Sequence, residues 1–135
     1  RDIFPTFCDL AGVEIPDDLD GESVLNYCRN GQKDWRPFIH GEHASGNQWL
    51  TDGREKYAWF TQSGRELLFD LTEDPQELTD FSPDRTNRVN EWREHLIEEL
   101  SKRPEGFVQD GKLVPGRPLL RHLPHVGKGI EKGAI

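Results

Sequence analysis

The sequence predicts an α+β fold, a four-stranded antiparallel sheet packed by a C-terminal helix. Two observations carry this expectation. Between Phe38 and Leu71 four short runs rich in aromatic residues, at 38–42, 48–51, 56–61 and 66–71, are separated by the turn formers Ser45-Gly46-Asn47, Asp52-Gly53 and Ser63-Gly64. Downstream, Val89, Trp92, Leu96, Ile97 and Leu100 recur at helical spacing on one stripe, with charged residues around the remaining circumference. Strands followed by a helix, rather than alternating with helices, argue for an antiparallel sheet with its helix on one face.

The elements follow in chain order. Residues 2–11 place Ile3, Phe4, Phe7, Cys8, Leu10 and Ala11 in a short helix, with Asp2 able to cap, Pro5 in the first turn and Gly12 as terminator. A helix apolar over most of its circumference needs burial on several sides, so a larger body is expected against it. Residues 13–21, rich in Pro and Asp, read as loop, and 22–29 as a second brief helix ending at Asn30-Gly31. The four strands begin after Trp35, joined by tight hairpins because Asp-Gly and Ser-Gly accept positive φ at little steric cost. A long helix is expected from about Ser82 to Arg103, with Ser82 as cap, Pro83 at the first position and Pro104 ending it. It covers one face of the sheet, and the other face, carrying Trp59 or Phe60, is left to another body. Residues 108–135, rich in Gly, Pro and Lys, read as an extended tail. The resulting divisions are 1–34, 35–107 and 108–135.

Only 33% of the 135 residues are hydrophobic and the mean hydropathy is −0.80, so the core must be small and built largely from aromatic side chains. A net charge of −8 repels phosphate backbones and anionic lipid, which argues against nucleic-acid and membrane-surface partners. No run approaches the roughly 20 apolar residues of a membrane-spanning helix. The opening residues lack an initiator Met and the pattern of a secretory leader, and the compartment stays unread. Cys8 and Cys28 can be a disulfide or two small buried hydrophobes.

Leu67-Leu68-Phe69-Asp70-Leu71-Thr72-Glu73-Asp74-Pro75-Gln76-Glu77-Leu78-Thr79-Asp80 resembles the C-terminal signature of sulfatases, arylsulfatase-like members of the alkaline phosphatase superfamily. Asp2-Ile3-Phe4-Pro5-Thr6, Leu10-Ala11-Gly12 and Asp20-Gly21-Glu22-Ser23 are similar to the passage by which a sulfatase leaves its catalytic domain, so the likeness spans nearly the whole chain. The resemblance implies that residues 1–34 are a helical remnant and connecting loop of an α/β catalytic domain, and that 35–107 form the C-terminal subdomain. It also implies a parent sulfuric ester hydrolase with a formylglycine nucleophile, calcium to polarise the sulfate oxygens, and Lys and His groups to protonate the leaving group, all upstream. The chain would then be inactive alone, would partner that catalytic domain, and would shape the pocket for a sulfated small molecule or glycan. A phosphonate monoester hydrolase or phosphodiesterase of the same superfamily, or a free-standing carbohydrate-binding module using Trp35, Trp49 and Trp59, are the alternatives.

Candidate sites are few. The formylglycine motif needs Pro two residues after the Cys or Ser and Arg two after that, whereas Cys8 is followed by Asp9-Leu10 and Cys28 by Arg29-Asn30. No catalytic residue is therefore assigned. Laying an EF-hand loop over Asp17-Asp18 and Asp20-Gly21 puts Pro16 and Tyr27 at ligand positions, so no metal ligand is assigned either. His122 and His125 lack a third ligand for zinc. His40-Gly41-Glu42-His43 is the candidate for substrate binding, since an imidazole can donate to a sulfuryl oxygen or orient a sugar hydroxyl. On a regular strand His40 and Glu42 share one face while His43 takes the other, and local hydrogen bonding is the competing role for both histidines. Asp70, Asp74 and Glu77 read as turn formers, and the basic pair Arg54 and Lys56 as solvated hairpin charges.

Overall fold

A computed structural model describes residues 1–19, 21–31, 36–43 and 46–117. Asp20, Trp35, Ser45, His122 and His125, with the expectations placed on them, lie outside the described residues. The chain divides into two compact units, 1–37 and 38–135.

In the first unit, helix α1 spans Ile3–Ala11 and helix α2 spans Leu25–Asn30. Gly12 ends α1 as expected, at φ 67°, with its N–H on the Asp9 carbonyl and that of Val13 on Cys8. Asp2 does not cap the helix. Its own backbone is helical and its carboxylate accepts the Glu22 N–H at 2.9 Å and both Arg36 guanidinium nitrogens at 2.8 and 3.2 Å, because a charge-assisted fork outcompetes a single cap bond. Thr6 Oγ1 donates to the Asp2 carbonyl and accepts the Val24 N–H, which ties the approach to α2 back onto α1. Ser23 is used in the same way, donating to the Asp9 carboxylate, and α2 begins only at Leu25. The apolar character of α1 leaves Ile3 and Phe7 more than 60% exposed, with Phe4 and Leu10 above half. Both cysteines are free; Cys8 is half-buried, and Cys28 is exposed, which corrects its reading as a buried hydrophobe because Leu25 holds the inward side of α2.

In the second unit, strands β1 (Ile39–His43), β2 (Asn47–Thr51), β3 (Glu55–Phe60) and β4 (Glu66–Asp70) form an antiparallel meander in the order β1-β2-β3-β4. Its register is unbroken, so alternation sorts the side chains strictly. Leu50, Tyr57, Trp59 and Leu68 face helix α3 (Thr86–Ser101), which answers with Val89, Trp92, Leu96 and Leu100. Trp59 is thus inside and Phe60 is on the opposite face with Trp49, Lys56 and Phe69.

Helix α3 starts four residues later than the composition suggests. The Ser82 N–H bonds Asp80 Oδ1 at 2.9 Å, and the N–H groups of Asp84 and Arg85 both bond the Phe81 carbonyl, so 82–84 form a turn and Ser82 cannot cap. The same segment shields the outer edge of β4: Phe81 N–H donates to the Leu68 carbonyl, the Asp80 carboxylate accepts the Leu68 N–H, and Ser82 Oγ reaches the Glu66 carbonyl.

Residues following Phe107 are not uniformly extended. Strands β5 (Val108–Gln109) and β6 (Lys112–Leu113) make a small hairpin around Asp110-Gly111, whose φ values of 48° and 70° suit a primed turn. Phe107 meets Trp59 edge-on at 6.0 Å and anchors this hairpin to the core. Among the described residues no helix is long and apolar enough to cross a membrane.

Candidate functional site

The His40-Gly41-Glu42-His43 run occupies β1 without a bulge, with His40 opposite Leu50, Glu42 opposite Gln48 and His43 opposite Asn47. The two histidines therefore part company. His40 and Glu42 point to the α3 side, where Gln48 lies between them and is fully buried. The Gln48 amide nitrogen donates to Glu42 Oε2 at 3.2 Å, and its carbonyl oxygen sits 2.8 Å from His40 Nε2. A carboxylate only accepts, so the amide must face Glu42 with its NH₂, and His40 must carry its proton on Nε2. Arg103, just past the end of α3, donates through Nη1 to the same Glu42 oxygen at 2.7 Å and through Nε to Glu105 at 3.1 Å. The Arg103 guanidinium, helped by the Gln48 amide, holds the Glu42 carboxyl below its ordinary value against the opposing effect of burial. His40 is thus occupied in a local hydrogen bond, whereas His43 is exposed on the other face.

Around Gly41, on the His43 face, the Trp49 ring occupies the space a side chain would take. A Cβ at this position would overlap Cζ2 and Cε2 of that ring and stand only 2.6 Å from Cη2. Lys56 Nζ lies 5.6 Å from the Trp49 ring centroid and bonds both carboxylate oxygens of Glu77, at 2.8 and 3.0 Å. Trp59, at 2% exposure, offers no surface to a sugar, which removes one of the three tryptophans from the carbohydrate-module reading.

The loop from Asp70 to Asp80 is held by bonds within it and by Arg85 and Lys56 on either side of it. Asp70 Oδ1 accepts the Thr72 hydroxyl at 2.6 Å and the N–H groups of Thr72 and Glu73, while Oδ2 accepts Arg85 Nη1 at 2.8 Å. Asp74 Oδ2 accepts the Thr79 N–H at 2.7 Å, and Glu77, at φ 58°, turns its carboxylate toward Lys56. The Asp70 and Asp74 carboxylates build the turn, as their residue types suggested, whereas that of Glu77 is paired with Lys56 on β3. Asp17 and Asp18 are exposed, and among the described residues no three His, Cys, Asp or Glu side chains gather in a group able to hold a metal ion.

No protein-family model matches the chain. Over 130 residues it is 39% identical to an arylsulfatase of Clostridium perfringens, a match covering 91% of this chain and 27% of that protein. The chain belongs to the sulfatase family. It matches the C-terminal part of a sulfatase and spans little more than a quarter of the curated arylsulfatase's length. A solved 2-O GAG sulfatase superposes on 75% of the chain with a TM-score of 0.60 and 27% identity, using 24% of its own length. The phosphonate monoester hydrolase of Agrobacterium radiobacter superposes on 87% with a TM-score of 0.57 and 27% identity, using 28% of its length.

Gln48, Arg103 and Glu105 were not among the candidate site residues legible in the sequence. The signal for Gln48 was present: strand alternation puts it on the Leu50 side, and a polar amide facing a core must have partners. Arg103 lies 61 residues from Glu42, and no periodicity spans that distance.

The loop from Asp70 to Asp80 responds to pH through Asp70. The Thr72 hydroxyl and then the Arg85 guanidinium hold the Asp70 carboxyl far below its ordinary value of 3.8. A carboxyl depressed in the folded state contributes stability that is complete above the ordinary value and is lost as pH falls below 3.8 toward the folded value. Asp70→Asn is therefore expected to flatten the acid limb of stability below that pH. Urea midpoints collected from neutral pH downward test this, and equal slopes for variant and parent would refute it.

Proposed function

We propose that this chain is the C-terminal part of a sulfuric ester hydrolase, holds none of the reacting groups itself, and shapes the rim of the substrate pocket. The observation that carries the reading is the 39% identity to an arylsulfatase over 91% of the chain. Neither cysteine stands in the Pro-then-Arg setting of a formylglycine precursor, and on this reading both the nucleophile and the calcium belong to the catalytic domain of the parent. That domain is the expected cover for the exposed apolar side chains of α1 and for the sheet face bearing Trp49, Phe60 and Phe69. On this proposal His43 is the histidine that meets the sulfated small molecule or glycan, because His40 already holds Gln48.

Purified residues 1–135 are expected to show no turnover of an aryl sulfate above background, with or without added calcium, while the full-length enzyme hydrolyses it. Metal-dependent turnover by the isolated chain would overturn the assignment. A second reading, a phosphonate monoester hydrolase or phosphodiesterase, is favoured by the 87% coverage of the Agrobacterium enzyme's superposition. Rates of the full-length enzyme on sulfate, phosphonate and phosphodiester esters of one leaving group decide between the two.

A further inference from the structure

We propose that Gln48 and Arg103 are positioning residues: the hydrogen-bonded chain His40–Gln48–Glu42–Arg103–Glu105 fixes the register of β1 and so aims His43. This rests on the reading of His43 as the substrate-contacting histidine.

Strand β1 needs such a device. It stands at the end of the strand order and, among the described residues, pairs with β2 alone, so the backbone bonds seen there hold one side. Apolar burial contributes little, since Gly41 has no side chain and Ile39 is 46% exposed. A slip of one residue would carry His43 to the α3 face and bring Gly41 against the core. A slip of two would keep the faces but displace His43 by roughly 6.6 Å along the strand.

The polar chain resists both displacements. Gln48 is completely buried and presents one acceptor and one donor to β1, which must offer a donor at one position and an acceptor two residues on. Only His40 with Glu42 supplies that pair within Ile39–His43. Any other register leaves a buried amide unsatisfied in surroundings where water does not reach it. Arg103 ties the same Glu42 oxygen to the end of α3, next to the fully buried Leu100, so the strand is referenced to the core rather than to its neighbour alone. Gly41 beneath Trp49 is a second, steric pin of the same register. Neither Gln48 nor Arg103 lies on the His43 face, so their action on a substrate can only be indirect.

The test uses the full-length enzyme and the variants Gln48→Leu, His43→Ala and their combination. Gln48→Leu keeps the side-chain volume and removes both amide bonds. Amide exchange across 39–43 is expected to accelerate by about tenfold or more while β3 stays protected. KM for an aryl sulfate should rise by about tenfold with kcat within about twofold, and the double variant should be no worse than His43→Ala, because the two act through one contact. Unchanged exchange in 39–43 would overturn the register device. Loosened exchange with KM unaffected, or effects that multiply in the double variant, would overturn its link to His43. If His43→Ala itself leaves KM unchanged, the substrate role of His43 falls, and the exchange data alone still decide what Gln48 does. Should Gln48→Leu fail to fold, Arg103→Gln at the partly exposed end of the chain carries the same readouts.

Discussion

Trp92→Ala is expected to lower the unfolding free energy of the sheet-and-helix unit by about 3–5 kcal/mol, the largest loss of any single replacement considered. Trp92 is 3% exposed at the centre of the α3 stripe, where its ring meets Phe38 edge-on at 6.2 Å and His95 at 6.0 Å. Its indole nitrogen donates to Glu55 Oε2 at 3.0 Å, and Arg88 bonds the same oxygen and places its guanidinium 5.1 Å from the ring centroid. Alanine would leave a void between helix and sheet that flanking Leu96 and Val89, both already packed, cannot fill. A domain of ordinary stability has about 5–15 kcal/mol to lose, so this change removes a large share. Trp92→Phe keeps most of the volume and loses the indole bond, at a cost of about 1 kcal/mol. Urea unfolding followed by far-ultraviolet circular dichroism measures both, and a loss below about 1 kcal/mol for Trp92→Ala would show that α3 does not clamp the sheet.

Gly41→Ala should follow at about 1–3 kcal/mol, for the opposite reason. Here the backbone has no unusual φ to protect; the added methyl collides with the Trp49 ring, which must leave its place on the strand. The collision has a direct control. Trp49→Ala removes the obstacle, so the double variant should cost less than the two single losses together, by about 1 kcal/mol or more. Strict additivity would mean that Gly41 is needed for something other than room beneath the indole.

The meander was legible because its hairpins are local: turn residues and alternating runs place each strand within a residue or so of where it forms. The stripe of α3 was equally plain, since Val89, Trp92, Leu96 and Leu100 are the four that become buried. What escaped was decided by competing side-chain partners rather than by local propensity. Ser82 lost its capping role to Asp80 and Glu66, and Asp2 gave its carboxylate to Arg36. The β5–β6 hairpin had its Asp110-Gly111 signal, but that signal was submerged in a stretch of Gly, Pro and Lys and needed Phe107 on Trp59 to give it a foundation. At the site, strand alternation correctly separated His40 from His43, whereas the Arg103 link could be seen only with α3 in place.

The segment 80–82 lying along β4 has a consequence for assembly. That rim is sealed by Phe81, Asp80 and Ser82, which take up the Leu68 carbonyl, the Leu68 N–H and the Glu66 carbonyl. A strand offered by another chain therefore meets no free amide or carbonyl at Leu68 and a carbonyl already engaged at Glu66, so pairing across that rim is closed.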